Sequence, residues 1–162
     1  MRYQRHYDAI IVGASFAGLT CARYAAELGL DVLVIDRKAH AGQAPHTTGI
    51  IVKEAMEEFP VPNYLTRRIS GIRLYSPSLK YFDLHSPGYY FLATDTPGYL
   101  QFLAKTAENA GATIVFNSEY GSSVLQSDNV FIENLDVSCK FLVGADGARS
   151  RVASNFGLSQ NK

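Results

Sequence analysis

The stretch Asp8-Ala-Ile-Ile-Val-Gly13-Ala-Ser-Phe-Ala-Gly18 decides how the rest of this chain is read. Residues 8–12 form a short apolar run that ends on glycine, the pattern of a strand buried on both faces. Residues 17–28 are alanine-rich, and Leu19, Ala22, Ala25 and Ala26 recur at three- and four-residue spacing. That periodicity predicts a helix, with Gly29 as its C-terminal stop. Residues 31–35, Asp-Val-Leu-Val-Ile, are a second apolar strand. Two such strands joined through one helix form a right-handed parallel βαβ crossover by default.

The turn between strand and helix carries the chemistry. Gly13 permits a tight exit from the strand, and Gly18 permits helix and strand to pack closely. Between them Ser15, Phe16 and Ala17 open the helix, where unpaired backbone amides and the helix dipole favour a pyrophosphate. Asp36 ends the second strand 18 residues after Gly18. A carboxylate there accepts hydrogen bonds from ribose hydroxyls, and Arg37 beside it joins the set of candidate cofactor-binding residues. The middle glycine of the usual dinucleotide fingerprint is Ser15 here. Its small side chain and hydroxyl make this a tolerable departure. An acid at position 36 repels a 2′-phosphate and so argues against NADP in this site. FAD and NAD both present a free ribose, and the fingerprint alone leaves them open.

Outward from this unit, the chain continues as α/β with a β-rich insert at about residues 63–95. Residues 53–59 suggest a short helix. Strands are predicted at 69–75, 80–84 and 89–93, separated by Ser-Pro and Pro-Gly turns. A second helix opens at Asp95-Thr-Pro-Gly98 and stops at Gly111. Residues 113–116 read as a strand, 122–126 and 129–133 as a hairpin, 140–144 as a third apolar strand, and a helix is expected from Ala148. The whole of residues 1–162 is thus expected to be one dinucleotide-binding domain of Rossmann-like fold with a parallel sheet and an antiparallel insert.

Composition narrows the function classes. Fifteen basic residues balance fifteen acidic ones, so no global field attracts nucleic acid, and a nucleic-acid partner is not expected. No run approaches the ~20 apolar residues of a membrane span. The N-terminus lacks the apolar core of a signal peptide, and a cytoplasmic location is the expectation. Cys21 and Cys139 have no metal-ligand spacing and read as buried reduced thiols. No metal cluster and no nucleophile motif is present, so no catalytic residue is named. His46 reads as part of a surface turn. Tyr75, Tyr81, Phe82, Tyr89, Tyr90 and Phe91 suit either an apolar substrate pocket or ordinary packing between strands.

A second motif, Phe141-Leu-Val-Gly-Ala-Asp146-Gly-Ala-Arg-Ser-Arg-Val152, follows the third apolar strand. Together with the N-terminal unit it resembles the FAD-dependent superfamily of geranylgeranyl reductases, aromatic hydroxylases and squalene-epoxidase-like flavoproteins. In that superfamily a Gly-x-Asp-Gly-x-x-Ser segment lies near the FAD pyrophosphate and has been linked to NAD(P)H handling. The resemblance implies a role for Asp146 as a helix cap or hydroxyl acceptor, with Gly147 allowing close approach, and Arg149 and Arg151 on the basic positions. Leu100 to Gly111 is similar to the family's helix preceding its Gly-Ala turn. The family's Arg or Gln near that helix start is absent. Asp95 stands in the region instead, unfavourable beside a pyrophosphate unless it caps the helix.

The resemblance implies the FAD-binding portion of a flavin-dependent oxidoreductase of reductase or monooxygenase type. NAD(P)H would be the electron donor and a small or lipid-like molecule the substrate. The family's later Gly-Asp-Ala motif does not occur before Lys162, so the resemblance implies either a missing C-terminal half or a truncated relative. Two other readings stay open: a non-catalytic nucleotide-binding module, and an NAD-dependent dehydrogenase, which leaves residues 144–151 unexplained.

Overall fold

The computed structural model describes residues 5–58 and 61–158. Its elements run β1 (His6–Val12), α1 (Phe16–Glu27), β2 (Val32–Ile35), β3 (Ile50–Val52), α2 (Lys53–Glu58) and a 3-10 turn at Asn63–Leu65. Next come β4 (Thr66–Ile69), β5 (Gly71–Tyr75), β6 (Tyr81–His85), β7 (Phe91–Thr94) and α3 (Thr96–Asn109). The chain closes with β8 (Thr113–Val115), β9 (Ser123–Gln126), β10 (Asn129–Ile132), β11 (Val137–Gly144) and α4 (Arg151–Asn155). It divides into two compact units, residues 1–43 with 100–162, and residues 44–99.

The first unit is a six-stranded sheet in the order β8-β2-β1-β11-β10-β9. Its four strands β8, β2, β1 and β11 are parallel, and β10 and β9 extend it antiparallel. This is the mixed α/β, mostly parallel architecture expected. β2 is buried along its whole length and β1 over residues 9–12, as their uninterrupted apolar sequences require. Residues alternate between two faces of the sheet. Ile10, Val12, Leu33 and Ile35 join Val130, Ile132, Val137, Cys139 and Val152 in one buried cluster. The helix α1 packs on β1 and β2 with Gly18, Leu19, Ala22 and Ala26 buried. Cys139 lies in the core cluster, and burial pushes its thiol up to about 11, so it stays protonated. Cys21, expected to be buried, is only half-buried, because its side of α1 lies at the margin of the helix's apolar stripe.

The second unit differs in its strands from the sequence reading. Residues 69–75 do not form one strand: the ladder breaks at Ser70, and the two pieces take different partners. β4 pairs with β7, and β7 with β3, in a three-stranded antiparallel sheet. β5 pairs only with β6, from Gly71↔His85 to Tyr75↔Tyr81. β3 lies in a Gly-, His- and Thr-rich region that carried no strand signal. Of the helix expected at 53–59, α2 covers 53–58, and Phe59 lies outside the described residues. The final helix starts at Arg151 rather than Ala148. Gly147 has φ +88, and Ser150 is the N-cap, its side chain accepting from Ala153 N.

Candidate functional site: the carboxyl ends of β1 and β11

The order of the sheet places the site. From β1 the chain crosses through α1 to β2 on one side, while β11 lies against β1 on the other. Neighbouring strands whose connections leave in opposite directions splay their following loops apart. Open α/β sheets bind ligands in the resulting crevice, at the carboxyl ends of the strands. Here the two loops are the Gly13 turn and the Ala145–Ser150 turn.

The loops meet closely. The Ala145 amide donates to Val12 O at 2.8 Å. A Cβ on Gly13, whose φ is +110, would lie 2.3 Å from Ala145 O and 3.2 Å from Asp146 Cα. A Cβ on Gly18 would lie 1.9 Å from Gly13 O. Both glycines therefore serve the protein's own packing: Gly18 seats α1 on the turn, and Gly13 seats the first loop on the second. The sequence reading gave Gly13 a tight turn and Gly18 close helix–strand packing; the fold adds that Gly13 is held against Ala145.

Between the glycines, Ser15 and Ala17 are exposed and Phe16 is half-buried. Ser15 is the N-cap of α1 in extended conformation, yet its side chain makes no capping hydrogen bond, and no acid occupies the first turn. The first amides of a helix have no partner within it. Neither a capping side chain of Ser15 nor an acid of the first turn therefore competes with an anion for this end of the helix dipole.

Asp36 does more than the sequence suggested. Its Oδ2 accepts from Ala14 N at 2.7 Å, and its Oδ1 accepts from Lys38 N at 2.8 Å. The carboxylate at the end of β2 thereby anchors the glycine loop at the end of β1. Ala14 and Lys38 are participants that sequence reasoning missed, since their part is played by backbone amides. An ionised carboxylate offers about four lone-pair positions, so two remain for ligand hydroxyls. Arg37 is exposed.

Asp146 caps the last helix. Its Oδ2 accepts from Arg151 N at 2.7 Å and Val152 N at 3.3 Å. Its Oδ1 is buried without a partner among the described residues. A buried acceptor left unmatched costs about 1–3 kcal/mol, and a donor such as a ligand hydroxyl would satisfy it. The loop is braced from behind, with Arg151 paired to Glu119 at 2.8 Å and Asn155 hydrogen-bonded to both N and O of Ser123. Asp146→Ala is expected to lower stability by about 1 kcal/mol through loss of the cap, measurable by urea denaturation.

In the second unit Asp95 Oδ1 accepts from Gly98 N at 3.2 Å, so it caps α3, the role that relieves its charge. An apolar cavity of about 190 Å³ there is lined by Tyr89, Tyr90 and Phe91 with Ile69, Ile72 and Leu84. Tyr75, Tyr81 and Phe82 lie elsewhere, exposed on the β5–β6 hairpin. His46 is exposed. No group of three or more metal-ligating side chains occurs among the described residues.

A family of FAD binding domains matches residues 6–162, and the chain belongs to it. FAD is accordingly its cofactor, and the fold described above is that of an FAD-binding domain. An uncharacterised protein from Methanosarcina barkeri is 30% identical, over 94% of this chain and 89% of that protein. The digeranylgeranylglycerophospholipid reductase 1 of Methanothermobacter thermautotrophicus is 27% identical over 94% of this chain and 42% of the reductase. A geranylgeranyl bacteriochlorophyll reductase-like protein from Thermoplasma acidophilum superposes with a TM-score of 0.74 at 25% identity, over 88% of this chain and 40% of that one. The chain therefore spans most of the M. barkeri protein and about two-fifths of the reductases.

Proposed function

We propose that this chain is the cofactor-holding portion of a flavin-dependent reductase that acts on a lipid-like, unsaturated substrate with NAD(P)H as electron donor. The observation that carries the reading is the crevice at the switch between β1 and β11, with the N-terminus of α1, uncapped by the Ser15 side chain, on one wall. The similarity to geranylgeranyl-type reductases over nearly the whole chain supports the substrate class. When bound, FAD supplies two-electron redox chemistry. The protein's part is to bind and orient it.

In this reading the amides of Ser15, Phe16, Ala17 and Gly18 hold the pyrophosphate, and Gly13 keeps the turn tight enough for them to converge. Asp36 accepts from the adenosine ribose hydroxyls while holding Ala14, and Arg37 lies at the rim beside it. Asp146, a carboxylate, suits a hydroxyl rather than a phosphate, and its unpartnered Oδ1 supplies the acceptor. A second reading, a nucleotide-binding module that does not turn over by itself, is favoured by the fraction of reductase length that the chain spans.

Titration of the purified chain with FAD and, separately, NAD tests the first reading. FAD is expected to raise the melting temperature and acquire a protein-bound visible spectrum, with NAD giving neither. Stabilisation by NAD alone would sink it. Bleaching of bound FAD by NADH or NADPH under anaerobic conditions separates the reductase from the module, which would bind flavin without accepting hydride.

A further inference from the structure

The β5–β6 hairpin is unlike the rest of the chain. Every residue from 71 to 88 is exposed, and among the described residues its two strands pair only with each other. An isolated two-stranded hairpin is marginal in water, and its side chains here are costly to leave wet. Exposure rises from 44% at Ile72 and 41% at Leu84 near the base to 62% at Tyr75, 63% at Phe82 and 78% at Leu79 at the tip.

The tip itself is built against local preference. The Leu79 amide donates to Ser76 O at 2.9 Å, and the Ser76 amide to Lys80 O at 2.8 Å. These bonds define a three-residue loop, Pro77-Ser78-Leu79, with its last residue left-handed. That position normally takes glycine, yet Leu79 occupies it at φ +63. A bulky side chain so placed is strained and exposed at once, a combination that points to a function for the side chain.

We propose that this tip inserts into a lipid surface. At the base the two faces of the hairpin differ: Arg73 and Asp83 form a bidentate pair on one, while Ile72 and Leu84 are apolar on the other. Toward the tip the distinction vanishes. Tyr75 opposite Tyr81 covers one face and Leu74 opposite Phe82 the other, with Leu79 at the end. Immersion covers both faces and the end of the tip at once. Residues 74–82 carry no acid and one cation, Lys80, complementary to lipid phosphates. Tyrosine and lysine beside aliphatic groups suit the headgroup boundary. The backbone groups that close the loop are already paired within it, so entry of the tip leaves those groups satisfied.

Co-sedimentation of the full chain with phosphatidylcholine vesicles containing phosphatidylglycerol tests this. Leu79→Gly is expected to reduce vesicle binding about tenfold or more. Its melting temperature should be equal or higher, since glycine relieves the positive φ. Phe82→Ser should reduce binding similarly, and FAD affinity should be unchanged in both, so a failure here is distinct from a failure of the cofactor reading. Wild-type protein that stays in the supernatant would overturn the proposal, as would variants that bind vesicles like wild type. A wild-type dimer that Leu79→Gly converts to monomer, without vesicle binding, would assign the tip to a second copy instead and equally overturn it.

Discussion

Valine at position 13 is expected to abolish FAD binding and to leave the chain severely destabilised. The position demands φ +110, which a β-branched residue rarely adopts, and the first side-chain carbon would fall 2.3 Å from Ala145 O. That oxygen belongs to backbone in a turn, so it cannot swing aside as a flexible side chain would. Strain at such a φ costs about 1–3 kcal/mol, and overpacking at a tight contact adds a further ~1–3 kcal/mol. Together these come to about 2–6 kcal/mol, a large share of the stability of an ordinary domain, about 5–15 kcal/mol. Relief requires the β1 and β11 loops to part, which dismantles the crevice. Urea denaturation and FAD titration of Gly13→Val check both effects. A variant that melts like wild type and binds FAD normally would show that the two loops are not held together as described.

Asp36→Ala is expected to weaken FAD binding by one to two orders of magnitude, about 1.4–3 kcal/mol for a lost charged acceptor, and to destabilise the protein in the absence of FAD. The second effect follows from the structure. Considered from sequence, position 36 is a strand end whose carboxylate serves the ribose and whose removal leaves the fold intact. In the fold that carboxylate is half-buried and holds the amides of Ala14 and Lys38. Removing it leaves the glycine loop without its anchor, so the ligand-free variant should melt lower. Asp36→Asn, which keeps one acceptor oxygen, should recover part of the stability and less of the affinity. If Asp36→Ala melts normally without FAD, the anchoring role fails while the ribose role survives. Normal affinity with reduced stability would mean the reverse.

The second unit shows where the sequence signal ran out. The uninterrupted Ile69-Ser-Gly-Ile-Arg-Leu-Tyr75 has the composition of one strand, because composition reports extended backbone and not partner choice. The break at Ser70 exists because Ile69 pairs with Phe91 while Gly71 pairs with His85. Likewise Ile50–Val52 is too short to stand out, and it becomes a strand only because Phe91–Ala93 lies beside it.

What the sequence determined by itself is local or periodic. Apolar runs of strand length, an alanine-rich helix, glycines where backbone must turn or approach, and an acid at a fixed distance are written in neighbouring residues. They suffice for the βαβ unit, and they place Asp36 at a strand end and Asp146 in a strand-to-helix turn. Only the tertiary structure decided that β11 lies against β1, because that contact joins residues more than a hundred positions apart and no local preference encodes it. The same pairing presses Gly13 on Ala145 and opens the crevice between two loops. The anchor between Asp36 and Ala14 is likewise tertiary: a carboxylate can cap whichever amide the sheet brings within reach, and the sheet chose the glycine loop.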